Sequence, residues 1–291
     1  MVVQAVDCDL YLYADDSCLV YTGSDVKTIE NNLNKNFNSL CDWLVENKLS
    51  IHFGEDKTKS ILFGTKRRLK SEHHLDIRRG EIKIKQHKSV SYLGCILDCN
   101  LSGEDMAIKV LQKINSRLKF LYRKQNVLNT ALRRLLCNAL IQPHFDYACQ
   151  SWFPNLTKSL SNKLQCAQNK CIRFCLNLDN RTHLDKKEFK ELNWLPTKER
   201  VNQRICVSAY KCLNNISPLY MSDIFIPQKV LKITRNSTHR FQMPFRRTNI
   251  GQKGMSYFGP KLWNNLPTEL KLSKSTNLFK HKIKDMFFEI L

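Results

Sequence analysis

The chain has 291 residues, 42% of them hydrophobic, room for two domains with real cores at roughly 100–200 residues each. Lys and Arg number 47 against 26 Asp and Glu, a formal charge of +21, so a polyanion is the expected partner, with nucleic acid first. Twelve cysteines are too sparse here for a secreted disulfide scaffold, no stretch approaches ~18 uninterrupted apolar residues, and the apolar start ends at Asp7 without a basic leader, so a reducing intracellular compartment and no membrane partner are expected.

Leu10-Tyr11-Leu12-Tyr13-Ala14 alternates as a strand does, meets Asp15-Asp16, and resumes as Ser17-Cys18-Leu19-Val20-Tyr21. That pattern predicts a hairpin with two carboxylates at its tip. Ser24-Asp25 can cap a helix whose apolar residues Val26, Ile29, Leu33, Phe37, Leu40 and Leu44 step by three or four and fade near Asn47-Lys48. Residues 49–53 and 60–63 read as two short strands around Gly54-Glu55-Asp56-Lys57, and residues 81–84 with 89–97 as another hairpin. Residues 1–100 are therefore expected to be α+β.

From Ser102 helix follows helix, at about 102–125, 129–150, 157–178 and 197–214, with Ser102, Asn129 and Thr157 as caps. A domain boundary near residue 100 follows, and residues 101–217 form a helical domain. Beyond Pro218 the helical signal weakens. Residues 227–291 hold thirteen Lys or Arg against three Asp or Glu, punctuated by Gly251, Gly254, Gly259, Pro260 and Pro267, so residues 218–291 are expected as a separate basic region.

The cysteines include no Cys-x2-Cys pair. Cys171, Cys175 and His183 have plausible ligand spacing, but Leu164, Ala167, Cys171, Phe174, Cys175 and Leu178 recur at helical intervals, which makes these thiols helix core rather than zinc ligands.

Two adjacent carboxylates at a strand turn need a counter-charge if buried, and a metal ion is the natural one. Asp also favours solvated turns, so the pair alone leaves both readings open. Its setting is more specific. Tyr13-Ala14-Asp15-Asp16 is followed by an amphipathic helix containing Trp43, by Asn47-x-Leu49-Ser50-Ile51, by Lys57-Thr58-Lys59 and by Tyr92-Leu93-Gly94. In kind and order these segments resemble the palm of reverse transcriptases of the non-LTR retrotransposon type. Residues 139–148 and 259–267 are similar to stretches of jockey-like and related elements.

The resemblance implies an α+β partial polymerase palm, a helical thumb-like domain and a basic C-terminal region, acting in RNA-directed DNA synthesis by two-metal nucleotidyl transfer. It makes Asp15 the main Mg²⁺ ligand and Asp16 the weaker one, and sets Tyr13 and Ala14 at the primer terminus. Lys57 or Lys59 would stand near the incoming triphosphate, and Tyr92, Leu93 and Gly94 would hold the primer strand. The implied partners are an RNA template, a DNA primer and deoxynucleoside triphosphates, in the nucleus or a cytoplasmic ribonucleoprotein. The family's palm also needs a carboxylate from a strand well upstream. Asp9 cannot supply it, because six residues of strand put it about 20 Å from Asp15. The expectation is a fragment inactive alone, or else a non-catalytic nucleic-acid-binding remnant.

Lys109, Lys113, Arg117, Lys119, Arg123, Lys124, Arg133 and Arg134 fall in one stretch without an acidic residue. On a helix Lys109, Lys113 and Arg117 form a stripe beside apolar Val110, Ile114, Leu118 and Leu121, so one face packs while the other meets phosphates. By the resemblance this is the thumb, and its grip on template–primer should ignore sequence and weaken with salt. Arg246-Arg247, Lys253, Tyr257, Phe258, Lys261 and Trp263 interleave cations with rings as a single-strand binder does, although the rings suit a local core better.

Overall fold

Aromatic and β-branched side chains alternating with small or polar ones favour a pleated ribbon. In the computed structural model, which describes residues 6–70, 74–228 and 239–290, residues 9–20 form β1 (Asp9–Tyr13) paired antiparallel with β2 (Asp16–Val20). Helix α1 (Val26–Glu46) follows, started by Asp25, whose carboxylate accepts the Thr28 N–H at 2.8 Å. That bond holds the Asp25 carboxyl below its usual range. The inner face of α1 buries Phe37 and Cys41 in a cluster with Leu62, Leu75, Ile77 and Ile84.

Two expected strands are absent. Residues 49–53 and 60–63 form no strand, only an isolated bridge from Ser60 to Gln86. Ile51, Phe53 and Leu62 reach the α1 cluster from irregular backbone, Phe53 meeting Phe37 edge-on at 6.4 Å. The expected 81–84 with 89–97 hairpin is two hairpins instead. β3 (Ile77–Arg79) pairs with β4 (Ile82–Ile84), and β5 (Ser89–Tyr92) pairs with β6 (Cys95–Asp98). Tyr92 faces Cys95 across a two-residue turn in which Leu93 and Gly94 have φ of 46° and 77°, the two positive values a type I′ turn requires.

The chain divides between Leu101 and Ser102 into two compact units. The second opens with α2 (Glu104–Tyr122), which begins at Gly103 rather than at the expected Ser102. Gly103 has φ +72°, and a Cβ there would lie 2.5 Å from the Trp152 carbonyl oxygen, so only glycine lets the helix start this close to its neighbour. Asn129 caps α3 (Thr130–Leu140) through the Leu132 N–H. The single helix expected to residue 150 is three, because Pro143 supplies no N–H and Ala148 turns left-handed: α3, α4 (Gln142–Asp146) and α5 (Cys149–Trp152).

Thr157 caps α6 (Lys158–Leu176), which ends at left-handed Asn177. Then come α7 (Lys186–Leu192), which the periodicity did not mark, and α8 (Thr197–Leu213). The basic C-terminal stretch is not separate. Its α9 (Asn249–Lys253), α10 (Met255–Asn264), α11 (Thr268–Lys271) and α12 (Thr276–Ile290) belong to the second unit, with α10 and α12 packed on α8. Fully buried Trp263 and Phe279 lie 5.7 Å apart between rings, with Tyr210 of α8 stacked on Phe279 at 4.6 Å. Lys229, Lys232 and Arg235 of the thirteen cations counted there lie outside the described residues. Among the described residues no helix is long and apolar enough to cross a membrane.

Arg133 joins α3 to its surroundings from inside. Its guanidinium donates to the carbonyls of Gln125 (2.8 Å), Leu128 (2.9 Å) and Phe174 (3.3 Å) and to Asn177 Oδ1 (2.7 Å), and lies 5.3 Å from the Phe174 ring centre. It satisfies the loose acceptors at the α6 C-terminus, where a cation also opposes the helix dipole.

Two substitutions check this architecture by urea denaturation. Gly103→Ala forces an unfavourable φ and a backbone collision, and should cost about 2 kcal/mol or more. Arg133→Ala strands several buried acceptors and should cost about 2–4 kcal/mol, with Arg133→Lys recovering only part, since one ammonium cannot reach all four.

Candidate active site and nucleic-acid interface

Tyr13 pairs with Asp16, so Ala14 and Asp15 are the two turn residues, Ala14 with φ +52°. Cross-strand partners share a face. Tyr11, Tyr13, Asp16 and Cys18 therefore line one side of the ribbon, while Leu10, Leu12, Ser17 and Leu19 line the other. Asp15 sits at the tip and Asp16 directly across from Tyr13, and all four residues from Tyr13 to Asp16 are exposed. Tyr92 is the last residue of β5 and is half-buried. Burial first, then Cys18, Asp16 and Tyr11, raise its phenol above the usual range. Tyr11, Asp16 and Cys18 share one side of the ribbon, so Tyr92 is within electrostatic reach of that side. Leu93 and Gly94 form the tight turn beyond Tyr92. Lys57 and Lys59 are exposed on a different turn, which Lys57 helps close by donating its N–H to the Gly54 carbonyl at 2.9 Å.

Among the described residues no group of three or more His, Cys, Asp or Glu side chains is placed to hold a metal ion. Asp15 and Asp16 offer two adjacent carboxylates, whereas two ions ~3.5–4 Å apart need a further one from another strand. Asp9 pairs with Val20 at the far end of the ribbon. The described donors therefore do not fit a complete two-metal centre. Nor do Cys171, Cys175 and His183 converge. Both thiols are fully buried, and His183 is exposed and pairs with Asp185 at 3.2 Å. Burial pushes the Cys171 thiol up, while a bond with Cys137 followed by burial does the same for Cys175. Both are poor thiolate donors.

The basic stretch is largely a surface. Lys113, Arg117, Lys119, Arg123, Lys124 and Arg134 are exposed and Lys109 is half-buried, with Arg117 also donating to the Leu140 carbonyl at 2.6 Å. Arg133 is the correction, since its guanidinium is spent on internal acceptors and is not free for phosphate. On the Lys113 and Arg117 side, His144 falls below its usual pKa through burial first, then through Arg117 and Lys113, a place where cations gather without a carboxylate. In the C-terminal stretch Trp263 is core and donates its indole N–H to the His239 carbonyl at 2.9 Å, while Tyr257 and Phe258 are half-buried. Arg246, Arg247, Lys253 and Lys261 are exposed.

Sequence reasoning missed the lysines of α6. Lys158, Lys163 and Lys170 are exposed beside α2, and the signal for them was available. Residues 106–178 carry twelve Lys or Arg and one acidic residue, Asp146, which Arg200 Nη2 and Arg204 Nη2 occupy at 2.7 and 2.6 Å. The acid-free run noticed at 109–134 extends well past its end. The chain matches no family model, no curated protein and no solved structure.

Proposed function

We propose that this chain is part of an RNA-directed DNA polymerase of the non-LTR retrotransposon type, its first unit contributing palm elements and its second a thumb-like body that holds nucleic acid. One observation carries the reading: a two-residue turn presents Asp15 at a solvent-facing tip, with Tyr13 and Asp16 opposite each other on one side of the ribbon. A primer terminus laid over Tyr13 and Ala14 would have both carboxylates beside it and Tyr92 along its strand.

In the complete enzyme the primer hydroxyl attacks the α-phosphate of a deoxynucleoside triphosphate and pyrophosphate leaves. Asp15 and Asp16 would hold Mg²⁺ together with a carboxylate that the described residues do not supply. Lys57 or Lys59 would neutralise phosphate oxygens as point charges. The acid-poor stretch of residues 106–178 supports the nucleic-acid partner, because its eleven cations other than the buried Arg133, beside one engaged carboxylate, attract a polyanion over any neutral ligand.

The missing third carboxylate favours a second reading, a nucleic-acid binder without catalysis. The two readings part at the DNA upstream of the Met1 codon. A frame that continues into an aspartate-bearing strand supports the polymerase, and stop codons support the binder.

Purified chain should bind an RNA template with an annealed DNA primer, with affinity falling roughly 10³- to 10⁵-fold between about 50 and 200 mM salt, as six to ten phosphate contacts require. Filter binding measures this, and no binding at the lower salt sinks both readings. In the presence of Mg²⁺ and labelled deoxynucleotides the chain alone should incorporate none. Incorporation that Asp15→Ala abolishes would instead make it a working polymerase.

A further inference from the structure

We infer that the groove between α2 and α6 is a track for a single strand of nucleic acid, its phosphates on α6 lysines. The inference rests on the nucleic-acid partner proposed above and not on polymerase chemistry. The groove is an open cleft of about 680 Å³ over a floor of Leu111 and Ala167, and no carboxylate lines it. Lys158, Asn162, Cys166 and Lys170 recur every fourth residue as a stripe that drifts about 40° around α6 at each step, and all of them line the groove, as does Lys163.

From Lys158 to Lys170 is twelve residues, about 18 Å of helix at ~1.5 Å per residue. One strand of a duplex carries about five phosphates over that length, so the spacing matches a backbone and is too long for a single phosphate group. None of the three lysines enters an ion pair among the described residues, so each is available. Asn115 and Asn162 supply amide donors and acceptors for sugar and base edges. The cleft, about 680 Å³ along those ~18 Å of helix, averages roughly 6 Å across, so a duplex whose major groove alone is about 12 Å wide does not enter it. A single strand does.

This surface is distinct from the stripe that the sequence marked. Lys113 is two residues from both Leu111 and Asn115, about 200° around α2, and it flanks the buried seam from the other side. The groove therefore adds a second set of phosphate sites to those of Lys109, Lys113 and Arg117.

Of the twelve cysteines only Cys166 is exposed, and it stands midway along the track. The test uses the full chain, a twenty-residue oligo-uridine or oligo-thymidine, and N-ethylmaleimide, with modification read by peptide mass spectrometry. Saturating oligonucleotide should slow Cys166 alkylation about tenfold while leaving half-buried Cys8, Cys18 and Cys99 of the other unit at their free rates. Changing Lys158, Lys163 and Lys170 together to Gln should weaken binding at least tenfold. It should also flatten the slope of log affinity against log salt by about 2, at ~0.7 for each phosphate no longer neutralised. The same net charge removed as Lys187→Gln, Lys190→Gln and Lys198→Gln should leave that slope within about 0.7 of wild type. Bound oligonucleotide with Cys166 still at its free rate, or equal losses in the two triple variants, overturns the track while leaving the nucleic-acid partner standing. No binding by the wild-type chain overturns both.

Discussion

The second unit has to fold around a surplus of like charge. Helices α2 and α6 pack through Ile114, Leu118, Leu121, Leu164 and Ile172, all buried, and each such side chain contributes about 1.5–3 kcal/mol on leaving water. Against this stands repulsion among cations that have almost no carboxylates between them. Exposed charges are screened over about 8–10 Å at ordinary salt, so the apolar seam wins and the cations are left outward on both flanks of it. The unit is thus stable enough to form and still short of negative charge. A polyanion laid on those flanks relieves the repulsion that folding has to tolerate, so binding and stability are linked in the same direction.

Arg133, beside the α2–α6 seam, is a cation that goes inside. A guanidinium can go inside because it meets four oxygens, three of them carbonyls near helix or turn ends, and no ammonium has the geometry to replace it. In the sequence it is one of eight cations in an acid-free run, adjacent to Arg134, and nothing local separates the two. The distinction depends on Phe174 and Asn177, more than forty residues away, whose carbonyl and side chain become neighbours only when α6 docks. Long-range partners of this kind are what a single sequence conceals.

What was legible in the sequence follows the same division. The β1–β2 hairpin, α1 and its Asp25 cap, and the Asn129 and Thr157 caps are set by side chains within a few residues, and they stand where spacing puts them. Residues 49–53 misled because alternation records which side chains are apolar, not how the backbone hydrogen-bonds, and here a loop half-buries Ile51 and Phe53 while Leu49 stays exposed. The C-terminal stretch misled in the opposite sense. Its helices are short and interrupted by glycine and proline, so periodicity was weak, yet Trp263 and Phe279 dock on Tyr210 and make it integral to the unit. For the site, the order of segments pointed to Tyr13, Asp15, Asp16 and Tyr92, of which the first three stand at the tip of the β1–β2 hairpin and Tyr92 at the end of β5. The separation of Lys57 and Lys59 onto another turn, and the lysines of α6, were not visible in that order.

The β1–β2 ribbon carries two deficits that share one remedy. Within the described residues it is a two-stranded sheet, marginal by itself, with Tyr11, Leu12 and Tyr13 each more than half exposed. It also presents two carboxylates where two-metal chemistry needs three. A further strand pairing along the ribbon would cover its open backbone edge, shield apolar side chains and, with an aspartate in register with the tip, complete the donor set. Sheet completion and metal binding would then be one event. Under the polymerase reading, stability of the hairpin and competence of the site would be coupled through the same hydrogen-bonded edge.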